Sequence, residues 1–88
     1  MNHDGPICMV SSYPPRLCGI GTFTEEAREF IAKANPGRDV VVISHTDGAG
    51  EGVYPIIDMQ RRDWWRPVVD KIRELDPYCV HLEHEYGL

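Results

Sequence analysis

The chain has 88 residues, enough for one domain at most. Apolar residues make up 42% of it, which excludes a disordered composition. Its net charge is −5 and its nine Lys and Arg residues are scattered, so it lacks the clustered positive field that nucleic acid requires.

The first apolar run, Ile7-Cys8-Met9-Val10 within Pro6 to Tyr13, ends at Ser11-Ser12 and is then stopped by Pro14-Pro15. A short run bounded by turn residues predicts a strand buried on both faces. A loop, Arg16 to Gly21, follows. Thr22 with Glu25 three residues later fits a capping box and predicts a helix start there. Phe23, Ala27, Phe30, Ile31 and Ala34 recur at helical spacing, and Asn35-Pro36-Gly37 ends the helix.

Asp39 to Ser44, with Val40, Val41, Val42 and Ile43, predicts a second buried strand. The glycine-rich stretch Asp47 to Gly52 reads as a loop. Val53 to Met59 predicts a third strand, and Pro55 within it suits a strand start or a sheet edge. Asp63 to Leu75 predicts a helix with a stripe of Trp65, Val68, Val69, Ile72 and Leu75, and Pro67 belongs in its first turn. Of the adjacent Trp64 and Trp65, at least one is expected in the core. Arg61, Arg62 and Arg66 read as a solvated face. Asp76-Pro77 stops the helix, and Cys79 to Leu82 starts a fourth strand.

Strands separated by helices of this length predict an α/β class and a Rossmann-like parallel sheet in the order β-α-β-β-α-β. Two helices are few for four strands, so the expected form is an incomplete three-layer sandwich, and residues 1–88 read as part of a larger domain. An exposed sheet face or edge would favour self-association. The three cysteines, Cys8, Cys18 and Cys79, form neither a disulfide framework nor a zinc spacing. That usage predicts a reducing cytoplasm, as does a start, Met1-Asn2-His3-Asp4, unlike a signal peptide.

Three places could carry chemistry. Gly19-Ile20-Gly21-Thr22 opens the first helix, where free N–H groups, a partial positive charge and absent side chains suit an anion. The dinucleotide fingerprint is broken by Thr24, and a tight turn is the competing explanation. His45 and Thr46, with Asp47, follow the second strand and form a possible polar cleft; ordinary turn chemistry explains them as well. His84, Glu85 and Tyr86 follow the fourth strand, where they can hydrogen-bond hydroxyls or simply lie in solvent. A metal site is not expected, because HExxH on a helix is absent.

Taken together, Ser11 to Phe23 (SSYPPRLCGIGTF), Val40 to Ser44 and Asp76 to Gly87 (DPYCVHLEHEYG) resemble, in order, the opening of the retaining GT-B glycosyltransferases of the "group 1" family. Glu83 stands where glutamine is common in that family, and Tyr78 departs from its strand lead-in. The resemblance implies an acceptor-side Rossmann-like domain and a nucleotide-sugar donor. It places Gly19, Ile20, Gly21 and Thr22 near the donor phosphates and His84, Glu85 and Tyr86 beside a carbohydrate acceptor. It implies no cofactor. The donor-binding half with its paired glutamates is not in these 88 residues, so no catalysis by them alone is expected. The alternative is a non-catalytic α/β binding or scaffold module.

Overall fold

A computed structural model describes residues 3–11 and 19–82, with 19–23 described by their backbone alone. Six elements follow one another: β1 (Ile7–Val10), α1 (Gly19–Ala34), β2 (Val40–His45), β3 (Val53–Ile57), α2 (Trp65–Leu75) and β4 (Cys79–Leu82). All pairings are parallel and the strand order is β3-β2-β1-β4. The expected α/β architecture and element order are therefore present.

The sheet sits between two layers because its central strands are apolar on both sides. Ile7, Met9, Val40 and Val42 face one way and pack with Ala27 and Ile31 of α1. Cys8, Val41 and Ile43 face the other way and pack with Val68, Ile72 and Leu75 of α2. Register follows from this alternation, since Ile7 lies beside Val40 and Cys8 beside Val41; a slip of one residue would exchange the two faces. No described helix is long and apolar enough to cross a membrane.

Several boundaries differ from expectation. Helix α1 starts at Gly19, not Thr22, so Thr22 lies inside the helix and the predicted capping box does not form. Two glycines cost about 1 kcal/mol each in a helix, and the docking of α1 on the sheet outweighs that propensity. Phe30 is 75% exposed, contrary to the predicted stripe. The buried side of α1 is centred on Thr24, Ala27 and Ile31, and Phe30 projects roughly 100° away from Ile31. Strand β3 stops at Ile57, two residues before Met59, because the Asp58 carboxylate accepts the Gln60 N–H in a tight turn. Helix α2 begins at Trp65, two residues late, after a turn in which Arg66 N–H donates to the Asp63 carbonyl. Pro67 is its third residue, within the first turn as required. Neither tryptophan enters the core; the buried stripe of α2 begins one turn in, at Val68.

Two expectations rest on backbone chemistry and hold. Pro55 lies on an edge strand, where its missing donor costs little, beside a register shift at Ser44/His45. Asp76 ends α2 in a left-handed conformation (φ 45°), its N–H donating to the Ile72 carbonyl, and Pro77 prevents continuation.

The connection from β2 to β3 is short for a parallel crossover, residues 46–52, and contains no helix. Arg28 of α1 holds its end. Nε donates to the Val40 carbonyl at 3.0 Å and Nη2 to the Glu51 carbonyl at 2.8 Å. Gly52 (φ 70°) then turns into the sheet and accepts the Val42 N–H at 2.9 Å. A methyl group at Gly52 would come within 2.6 Å of Arg28 Nη2, whereas one at Gly37 (φ 85°) would meet nothing. Gly37→Ala should therefore cost only the left-handed backbone term, about 1 kcal/mol. Gly52→Ala should cost about 2–3 kcal/mol, because it also displaces the arginine from its carbonyls. Urea unfolding of the two variants checks the ranking, and equal losses would remove Arg28 from this account.

Candidate functional site

The order β3-β2-β1-β4 contains one place where the chain reverses its direction of growth across the sheet. From β1 the chain moves outward through α1 to β2 and β3; it then crosses the opposite face through α2 and adds β4 to the free side of β1. Ligands of open α/β sheets bind outside the carboxyl ends of the strands at such a point. Here the reversal point lies at Val10 and Leu82, which are register partners at the ends of β1 and β4.

Gly19, Ile20, Gly21 and Thr22 form the first turn of α1 and not the loop before it. Helix geometry leaves the N–H groups at the start of a helix without an intrahelical acceptor, and Gly19, Ile20 and Gly21 carry such groups. The first turn contains no acidic residue to occupy them. An anion is the natural complement of such a turn, through its donors and its dipole together.

The turn is held in place by a polar contact that the sequence did not advertise. Ser11, the residue after β1, donates its N–H to the Ile43 carbonyl at 2.9 Å, and its hydroxyl lies 2.9 Å from that of Thr24. Both side chains are buried, Thr24 completely. The bond spans the carboxyl end of β1 and the second turn of α1, and so fixes the helix start over the sheet edge. One signal was legible: Thr24 lies on the same face as Ala27 and Ile31, and a hydroxyl on an apolar face needs a partner.

His45 and Thr46 lie elsewhere on the same rim, at the end of β2. Thr46 N–H donates to the Ile57 carbonyl at 3.2 Å, and the His45 carbonyl accepts both the Gly48 N–H and the buried Ser44 hydroxyl, each at 2.9 Å. With Asp47, Ile57, Asp58, Met59 and Gln60 they line an open cleft of about 470 Å³. That cleft belongs to the ends of β2 and β3, whereas the reversal point belongs to β1 and β4, so the two candidate groups occupy neighbouring parts of one edge. Asp58, Met59 and Gln60 join it because β3 ends early. His84, Glu85 and Tyr86 lie outside the described residues.

Cys8 contributes no reactive thiol here. Cys8 is fully buried, and desolvation raises its pKa from 9.0 to about 11, with the charge of Cys79 adding to the rise. Cys8 and Cys79 pack into the clusters on opposite faces of the sheet.

No family model, curated protein or solved structure matches this chain.

Two outcomes follow. Thr24→Val should cost about 1–3 kcal/mol by stranding the Ser11 hydroxyl, and adding Ser11→Ala should recover part of that loss. A double-mutant cycle in denaturant reads the coupling, and strict additivity would dismiss it. The Cys8 shift has a definite sign: the unfolded thiol ionises near its ordinary pKa while the folded one keeps its proton. Stability linked to Cys8 is thus complete below pH 9 and is lost as pH rises towards about 11. Comparing the protein with Cys8→Ala across that window should show a steeper decline for the parent, and parallel curves would refute the linkage.

Proposed function

We propose that the chain forms the acceptor-side, Rossmann-like part of a retaining glycosyltransferase that moves a sugar from a nucleotide-sugar donor to a carbohydrate acceptor. The observation that carries this reading is the adjacency of β1 and β4. The two segments with the most specific resemblance, the turn opening α1 and the stretch after β4, leave neighbouring strands at the same edge. In this reading the first-turn amides of Gly19, Ile20, Gly21 and Thr22 approach the diphosphate of the donor. His84, Glu85 and Tyr86 supply polar contacts to the acceptor, and His45 and Thr46 offer a further polar wall along the rim.

The chemistry assigned to these residues is binding and orientation. A leaving diphosphate needs compensating charge as the glycosidic bond to it breaks. A helix N-terminus supplies part of that, equivalent to about half an elementary charge. The remaining stabilisation falls to a second domain, so the 88-residue chain alone should transfer no sugar.

The experiment is a backbone NMR titration of the chain with nucleoside diphosphates. The amides of Gly19 to Phe23 should shift at millimolar ligand, with His45 and Thr46 moving less. Signals of that turn that stay fixed at such concentrations would overturn the donor-side assignment.

A further inference from the structure

Beyond sugar transfer, the segment joining β3 to α2 carries a surface that the core does not use and that meets the carboxyl-edge cleft only at Met59 and Gln60. Met59, Trp64 and Trp65 are 59%, 36% and 47% exposed, and Arg61, Arg62 and Arg66 are exposed among them. Two tryptophans and a methionine in water forgo the burial that usually accounts for their presence. The cations are as informative as the rings. Residues 58–66 hold three arginines against two aspartates in a chain whose net charge is −5, so this short turn opposes the charge of the molecule as a whole.

Its internal pairing leaves that charge available. Arg61 meets Asp63 at 3.1 Å, an exposed pair of the kind that contributes little. Arg66 lies 5.6 Å from the Trp65 ring centre, a contact that leaves its charge intact. The Asp58 carboxylate is engaged by the Gln60 N–H.

We propose that residues 59–66 dock the protein on an anionic lipid surface. Tryptophan favours the boundary between headgroups and hydrocarbon, where its ring is buried and its N–H stays wet, and arginine reaches the phosphates beside it. A glycan platform fits less well, because neither tryptophan lines a described cleft. The placement also has a geometric consequence. The segment leaves β3 at the carboxyl edge, and Met59 and Gln60 wall the cleft that contains His45 and Thr46. Docking through it turns that rim towards the bilayer.

The two tryptophans are the only ones in the chain, so intrinsic fluorescence reports on this segment alone. The full chain is titrated with vesicles of phosphatidylcholine, with or without about one third phosphatidylglycerol. Binding to the anionic vesicles should shift the emission to the blue, and brominated lipid should quench it. The double variant Arg62→Ser/Arg66→Ser should bind about tenfold more weakly or worse, while Arg73→Ser on the last turn of α2 should bind as the parent does. Raising the salt concentration should release the unaltered protein, a readout that does not depend on any variant folding. Equal binding to neutral vesicles, or none to anionic ones, would overturn the proposal. A blue shift with polyglutamate or a soluble oligosaccharide in place of vesicles would overturn it too and reassign the patch. Vesicle binding and the nucleotide titration are read independently, so either can fail without the other.

Discussion

A parallel sheet whose middle strands are apolar on both faces cannot stand with either face in water, and this constraint shapes the whole molecule. At roughly 25 cal/mol for each Å² of apolar surface, leaving one side of β1 and β2 open would forfeit much of the core. Helix α1, with the crossover loop beside it, closes one face, and α2 closes the other. Because the two crossovers run in opposite directions across the sheet, the covering of both faces and the reversal between β1 and β4 have a common origin. The candidate site is thus a by-product of how the core is covered.

Polar groups at the carboxyl edge are where the apolar logic stops, and they are handled with care. Ser11, Thr24 and Ser44 are the buried polar residues described, and among the described residues no buried side-chain nitrogen or oxygen lacks a partner. Ser11 follows β1 and Ser44 is the last but one residue of β2, so the edge of the sheet is pinned by hydroxyl groups where a longer apolar side chain would push α1 or the loop after β2 away. Arg28 performs a similar task on the loop, with its stem along α1 and its guanidinium bound to two carbonyls.

The fold was legible in the sequence wherever a local cause determined the outcome. Val40 to Ile43 can be little else than a buried strand, Pro55 marks an edge, and Asp76-Pro77 ends a helix through backbone geometry. Where tertiary packing competes with local propensity, the sequence misled. The glycines before Thr22 signalled a loop, yet α1, docked through Ala27 and Ile31, extends through them. Phe30 and Trp65 have the right spacing for the core, but the narrow stripes set by Ala27 and Ile31, and by Val68 and Ile72, leave them outside. The candidate site was legible as a set of segments after strands. The hydroxyl pair that fixes it was not, since Ser11 and Thr24 are far apart in the chain and each is ordinary alone.

The position of β4 has a consequence for how the protein assembles. Its only described neighbour is β1, the first strand of the chain, and its start is tied to the amino end by Tyr78 N–H donating to the Pro6 carbonyl and by Arg38, which lies over the Tyr78 ring and binds the Gly5 carbonyl. Such a ladder brings together the two ends of the described chain, so its loop-closure entropy is lost before its hydrogen bonds are gained. Assembly of residues 3–82 cannot simply zip along the sequence: the segments at both ends of that stretch must meet before β1 acquires its second partner. Long-range parallel pairing of this kind is intrinsically slow to form.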